Sequence, residues 1–185
     1  MSYLDDSMAQ LEVFEGIIPW LYVDTRGFVT VGVGEMLASV SRAQSLSFID
    51  GNGQPVAPEA ILAEYNRIRG LPSGRTAGFY RSTASPVLAH ATIDDLLMKH
   101  LQFFDGQLNQ KFANYQQFPD PAKLGLLDMI YNLGVMGLFN NYPTFMGFVQ
   151  KEDWTGAASE CHRNGPGQAR NDWAKEQFLA AAASS

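Results

Sequence analysis

The chain opens with apolar residues at helical spacing and then changes to a pattern typical of strands. Leu4, Met8 and Leu11 follow an i, i+4, i+7 stripe, and Glu15 occupies the next position on the same face. A glycine and a proline follow within four residues, which predicts that the helix ends at about Glu15. A carboxylate therefore continues an apolar stripe, and we expect Glu15 to be partly buried at the helix end.

Two short runs rich in aromatic and β-branched residues come next and predict a β-hairpin. The runs cover residues 20–23 and 28–33, and Asp24-Thr25-Arg26-Gly27 between them has turn chemistry. Gly32 and Gly34 in the second run predict a bulge or a close approach of the backbone to another group, such as a sugar.

The pattern weakens over residues 38–91. Residues 58–69 read as a short helix, and residues 70–86 form a stretch rich in Gly, Pro, Ser and Thr that predicts a long loop. Long loops in compact domains are often functional, so this segment either lines a binding groove or is a surface insertion without a role.

Helical spacing returns at Thr92 and continues to about Phe112, and Thr92 followed by Asp95 resembles a capping box. Further helices are predicted at 122–133, 144–149, 154–162 and 168–183. The fold class is therefore α+β and mainly helical. We expect a mixed N-terminal lobe at residues 1–91, and a long connecting helix with a helical C-terminal lobe at residues 92–185.

Composition narrows the classes of function. Hydrophobic residues make up 46% and charged residues 17% of the chain, as in globular proteins. The net charge of -6 argues against a nucleic-acid partner, because phosphate binding needs a basic face. The single Cys161 forms no internal disulfide, and no Cys/His spacing indicates a metal site, so we expect neither a metal nor a cofactor.

The N-terminal residues have acidic side chains and no continuous apolar run, so we expect no signal peptide. We also expect no membrane span, because no stretch approaches the roughly 20 apolar residues that one needs. If the protein acts outside the cytoplasm where it is made, other machinery exports it.

Glu15 and Asp24 are the candidate catalytic pair. Two carboxylates that flank a bond are the recurring apparatus of glycoside hydrolysis, with one acting as acid and the other activating water. A Glu at a helix end and an Asp before a turn are also common structural features, so the pair alone does not define a site.

A longer motif strengthens the assignment. The segments Phe14-Glu15-Gly16, Tyr22-Val23-Asp24-Thr25-Arg26-Gly27 and Thr30-Val31-Gly32-Val33-Gly34 resemble the catalytic signature of the phage-type lysozymes of the T-even bacteriophages, glycoside hydrolase family twenty-four. A second block, Asp128-Met129-Ile130-Tyr131-Asn132-Leu133-Gly134 followed by Trp154-Thr155-Gly156-Ala157-Ala158, also resembles that family.

The resemblance implies a lysozyme-like fold of two lobes and an enzyme that lyses bacterial cell walls. It implies hydrolysis of the β-1,4 bond between N-acetylmuramic acid and N-acetylglucosamine in peptidoglycan. Glu15 would be the general acid, Asp24 would orient or activate the attacking water, and Thr30 would hold that water. This arrangement suggests inversion at the anomeric carbon.

Arg26, Tyr22 and Asn132 are the candidates for substrate contact. Each has an equally good structural explanation, as a solvated turn residue, a packing aromatic and a helix cap respectively. One departure from the family stands at Glu35, where the family usually has a histidine. The residue 38–91 region is also longer than in compact members, and the acidic pI departs from many basic lysozymes.

Two other functions stay open. A lytic transglycosylase would cut the same bond without water, and an inactive module would only bind peptidoglycan. The expected partner is the peptidoglycan glycan strand, and we expect the protein to act as a monomer. A phage endolysin accompanied by a holin, a secreted antibacterial effector with an immunity protein, and a domain of a larger protein would share this sequence pattern.

Overall fold

The computed structural model describes residues 2–184, so the outer ends of the two predicted lobes, residues 1 and 185, lie outside the described residues. Within that range the protein is 61% helix and 9% strand, with one small antiparallel sheet. The predicted α+β, mainly helical class is confirmed.

The helices are α1 (Tyr3–Glu15), α2 (Val40–Gln44), α3 (Pro58–Arg69), α4 (Ala77–Tyr80), α5 (His90–Lys111), α6 (Asp120–Asn141), α7 (Pro143–Gln150), α8 (Trp154–Glu160) and α9 (Gln168–Ala183), with a 3-10 turn at Tyr115–Gln117. The strands are β1 (Ile18–Val23), β2 (Val29–Gly32), β3 (Glu35–Met36), β4 (Phe48–Ile49) and β5 (Val87–Leu88).

The chain divides into two compact units. One consists of the residues up to Phe14 together with those from Met98 onwards, and the other is Glu15–Leu97. The first boundary falls at the end of α1 and the second falls within α5. The helical unit is therefore built from two separate stretches of chain, and the sheet belongs entirely to the other unit.

In the Glu15–Leu97 unit, the strands pair in the order β3-β2-β1-β5-β4. Tyr22 pairs with Thr30 across β1 and β2, which confirms the predicted hairpin, and the register shifts between Ile18 and Tyr22. On its other side β1 pairs with β5 through Trp20 and Val87. β1 is therefore the central strand of the sheet.

Gly32 in β2 makes the close approach that its sequence position predicts. Its φ is 67°, in the left-handed region that favours glycine. An added Cβ would lie 3.2 Å from Cγ2 of Ile93, in the same unit. The group that approaches the strand here is therefore an isoleucine side chain of the protein.

The helical unit has an aromatic core. Phe118 meets Trp154 edge to face with ring centroids 4.9 Å apart, and Phe145 meets Phe178 at 5.3 Å. Such contacts add to the free energy that burial of the rings supplies. The phenol of Tyr115 in the same core donates to Asp105 Oδ1 at 2.7 Å, so its polar end is satisfied.

A buried ion-pair cluster lies between α6 and α9. Asp128 of α6 accepts from Arg163 Nη2 at 2.6 Å and from Arg170 Nε at 2.7 Å. Arg163 also donates to the backbone carbonyl of Asp128 at 3.1 Å. The side chain of Arg163 is fully buried, so its charge depends on this carboxylate.

Helix α6 contains the predicted helix at 122–133 and continues beyond the break at Gly134, the residue at which the sequence predicts that helix to end. The expected helix at 122–133 extends to Asn141, and Gly134 interrupts it with φ 72° and ψ 167°. By length and composition α6 could cross a membrane, with a mean hydropathy of 1.3, and half of the apolar stretch is buried inside the protein. The core helix of a globular protein meets the same criteria of length and composition, and Gly134 breaks this helix, so the expectation of no membrane span stays a prediction.

The other predicted helices differ from the structure in detail. The bounds of α3 and α9 match, but α5 begins at His90, two residues before the predicted cap. Thr92 therefore lies inside the helix, and the capping-box prediction is wrong. The predicted loop at 70–86 contains the short helix α4.

Candidate functional site

A concavity of about 330 Å³ in the Glu15–Leu97 unit brings together three of the six predicted site residues. Glu15, Tyr22 and Asp24 line it, together with Ile18, Val23, Thr25, Gly74, Arg75 and Ala77. The hairpin explains the proximity of Tyr22 and Asp24, since Asp24 directly follows β1. The result is two carboxylates and a phenol around one opening to solvent.

Glu15 is the last residue of α1 and precedes Gly16, whose φ is 73°. The expected helix end is thus confirmed. The expected partial burial is wrong, because the side chain is exposed. Leu11 is the last buried residue of α1, and Glu15, four residues later, is exposed. An exposed carboxylate in a concavity is accessible to a ligand.

Asp24 is held by the hairpin turn. Its Oδ1 accepts hydrogen bonds from the backbone N–H groups of Arg26 at 2.9 Å and Phe28 at 2.8 Å. Its Oδ2 lies 3.5 Å from Arg26 Nε, but that guanidinium is 72% exposed, so the ion pair contributes little. The turn therefore fixes the carboxylate and leaves Oδ2 with capacity for a further ligand.

The charges of both carboxylates act on the phenol of Tyr22. Burial raises the pKa of Tyr22 to about 12, and the negative charges of Asp24 and Glu15 act in the same direction. Both charges are therefore close enough to act on the phenol. Tyr22 stays neutral at physiological pH and presents a ring with one hydroxyl, which suits contact with a sugar.

The other three predicted residues do not line this concavity among the residues that the structure describes. Thr30 is buried, and its Oγ1 donates to the carbonyl of Phe28 at 3.0 Å. Arg26 is exposed on the turn, with its guanidinium 5.6 Å from the Phe28 ring centroid. Asn132 is exposed on α6, in the other unit. Their functional roles stay predictions.

The concavity is also lined by residues that the sequence did not single out individually. Gly74, Arg75 and Ala77 come from the segment at 70–86, which the sequence left open as either a groove wall or a surface insertion. The structure shows that it lines the concavity. Arg75 lies over the ring of Phe79 at 5.8 Å from the centroid and adds a cation to the same opening. Only the length of the loop signalled this.

Glu35, the departure from the family pattern, forms an ion pair of its own. It is buried in β3, and its Oε1 accepts from Arg42 Nε at 3.0 Å and Nη2 at 2.7 Å. Arg42 of α2 therefore supplies a positive charge to this buried carboxylate. We interpret Glu35 as a residue that ties β3 to α2.

Comparison with other proteins does not identify a family. No model of a known protein family matches the sequence, and no curated protein matches it. Chemically, two carboxylates around one opening can donate a proton at one end of a polar bond and accept one at the other.

Proposed function

We propose that this protein is a peptidoglycan muramidase with a lysozyme-like fold of two lobes. The observation that carries the proposal is that Glu15 and Asp24 line one concavity together with Tyr22. The spacing of the two carboxylates in the sequence resembles phage-type lysozymes. A sheet-containing unit and a helical unit, with a 22-residue helix at the boundary, also support this fold.

In the proposed reaction, a water molecule attacks the anomeric carbon of N-acetylmuramic acid. The water transfers a proton to the Asp24 carboxylate as its oxygen bonds to that carbon. Glu15 donates a proton to the glycosidic oxygen as the bond to N-acetylglucosamine breaks. Thr30 is proposed to hold the water, and Tyr22, Arg26 and Asn132 to contact the substrate.

Hydrolysis is favoured over the transglycosylase reaction by the second carboxylate. Transglycosylation closes an anhydro ring within the sugar and needs no group that activates water. Asp24 is fixed by two backbone hydrogen bonds at a concavity that it shares with Glu15, which suits a base in a defined position. Mass spectrometry of released muropeptides separates the reactions, since hydrolysis gives reducing ends and transglycosylation gives anhydro ends.

The variant Glu15→Gln tests the catalytic assignment on purified sacculi. The amide has nearly the same shape but cannot donate an acidic proton, so we expect about a 100-fold to 10,000-fold loss of rate. Glu59→Gln is the matched control, because Glu59 is an exposed glutamate of the same unit that does not line the concavity. Unchanged lysis by the Glu15 variant would refute the assignment, and sacculus binding without any product from wild type would favour a binding module.

The biological setting follows from the reaction. The protein is made in the cytoplasm and, we propose, reaches the periplasm and cell wall through other machinery, such as a phage holin or a secretion system with a cognate immunity protein. We propose that it acts as a monomer on glycan strands.

A further inference from the structure

A second and larger concavity, of about 520 Å³, lies in the same unit. Arg81, three hydroxyl residues (Ser82, Thr83 and Ser85) and Val87 line it together with two glycines. None of the lining residues in the described chain is acidic. In a protein with a net charge of -6, a concavity with a cation and hydroxyl groups is suited to a negatively charged ligand.

Arg81 is held in place without a carboxylate. Its guanidinium carbon lies 4.5 Å from the centroid of the Trp20 ring, and Trp20 Nε1 donates to the carbonyl of Ala77 at 2.9 Å. Between Ser2 and Ser184, no acidic side chain pairs with Arg81. A guanidinium stacked on an aromatic ring keeps its in-plane N–H groups available, and these match the two oxygens of a carboxylate.

The serine hydroxyl groups that line this concavity are also held in place by hydrogen bonds. Ser85 Oγ donates to Glu64 Oε1 at 2.7 Å and accepts from the backbone N–H of Ser82 at 2.9 Å. Glu64 is buried, and its carboxylate accepts hydrogen bonds from Arg67 Nε at 2.7 Å and from Arg67 Nη2 at 2.8 Å, which neutralise its charge. Burial raises the pKa of Glu64, but the hydrogen bonds from Arg67 and Ser85 outweigh it and lower that pKa. Glu64 therefore has its own cation, and Arg81 is left for a ligand.

The two concavities share a wall. Ala77 lines the candidate active concavity and the next residue, Gly78, lines the second one, so α4 separates them. They also share β1, because Tyr22 lines the first while Trp20, two residues earlier, supports the cation of the second. One extended ligand can therefore contact both.

We propose that the second concavity binds a free carboxylate of the peptide that branches from each N-acetylmuramic acid of the substrate. This inference rests on the proposed muramidase function. A peptidoglycan strand carries several carboxylates on each peptide, close to the bond that is cut, and the Trp20-supported Arg81 is the cation that would hold one of them. The segment at 70–86 is then a specificity element that selects peptide-bearing glycan.

The test compares three soluble glycan substrates. The first carries peptides with free carboxylates, and the second carries the same peptides after amidation of their carboxylates. The third has lost its peptides and keeps only the lactyl carboxylate of N-acetylmuramic acid. We expect KM for the wild type to be about tenfold lower on the first substrate than on the other two, with similar kcat, since a charge-assisted pair contributes mainly to binding.

The variant Arg81→Gln should remove the difference in KM between the substrates. Arg81→Lys should keep part of it, because a lysine has the positive charge but not the paired N–H donors of a guanidinium. Arg69→Gln is the control, because Arg69 is exposed and lines neither concavity. Equal KM values of the wild type on the first two substrates, or an Arg81→Gln variant that keeps the wild-type ratio, would overturn the proposal. An advantage of the peptide-free substrate would assign the site to the lactyl group and also overturn it.

Failure of the muramidase function gives a different result, in which wild type cleaves none of the three substrates. Binding of the free-carboxylate and amidated substrates is then measured by calorimetry. Binding of the free form that Arg81→Gln weakens about tenfold supports the carboxylate site, and equal binding of the two forms refutes it.

Discussion

Replacing Asp128 with alanine is the most informative perturbation of the helical unit. The carboxylate accepts hydrogen bonds from Arg163 and Arg170 and is 3% exposed. Without it, Arg163 keeps its bond to the carbonyl of residue 128 but loses the one carboxylate that pairs with it in the described chain. A fully buried guanidinium is then left without a counter-charge, which is the costly case for a buried ion pair.

The structure sets the size of the effect. Removal of one partner from a buried pair costs about 3–5 kcal/mol, a large fraction of the roughly 5–15 kcal/mol that stabilises a typical domain. For a chain of this size that loss corresponds to a fall of roughly 6–20 °C in Tm. Asp120→Ala is the control: Asp120 is on the same helix and lies 3.6 Å from Lys123 Nζ, but it is 68% exposed. Its loss should change stability by less than about 1 kcal/mol.

Urea unfolding provides the assay. Trp154 and Trp173 both belong to the helical unit, so their fluorescence in a Trp20→Phe background follows that unit, while circular dichroism follows the whole chain. The same background is used for both aspartate variants. A loss for Asp128→Ala that equals the loss for Asp120→Ala would show that the buried cluster does not stabilise the unit, and the reasoning would be wrong.

Two further predictions concern single contacts. Asp24→Asn should lower the pKa of Tyr22 from about 12, because the charge of Asp24 adds to the effect of burial, and the tyrosine ring carbons report this in an NMR titration. An unchanged pKa would show that Asp24 is too far away to act on the phenol. Gly125→Ala should destabilise the helical unit by about 1–3 kcal/mol in thermal unfolding, since the new Cβ would lie 2.7 Å from Cζ of buried Phe178. Gly147→Ala, in α7 with nothing within 4 Å of the new Cβ, is the control and should not destabilise; equal effects of the two would contradict the clash.

The local sequence pattern was sufficient to predict the elements whose formation depends on residues close together in the chain. The bounds of α3 follow from its apolar periodicity, and those of α9 follow from the turn residues before it and the serines after it. The β1–β2 hairpin follows from four turn residues between two β-rich runs. Because Tyr22 and Asp24 belong to that hairpin, their proximity in the candidate site also follows from the sequence. The exposure of Glu15 did not follow from the sequence, because a stripe shows which face of a helix is apolar but not how far along the helix the packing continues.

Contacts between residues far apart in the chain could not be predicted from the sequence pattern. Strands of two residues such as β4 and β5 carry no periodic signal, and the pairing of Trp20 with Val87 joins positions that are far apart in the chain. The position of Arg81 over Trp20 depends on that fold, so neither the second concavity nor its cation could be expected. The ion pair of Glu35 with Arg42 likewise required the short helix α2, which the pattern did not reveal.

The division of the helical unit into two chain segments has a consequence for biosynthesis. Helix α1 leaves the ribosome before the Glu15–Leu97 segment, and its partners in the same unit, from Met98 onwards, are made only after the whole of that segment. Bringing the ends of so long a flexible loop together costs about 4 kcal/mol in entropy, and an already folded insert reduces that cost. We therefore expect the sheet-containing segment to fold first during translation. Helix α1 packs into its own unit only after the helices that follow Met98 have been made.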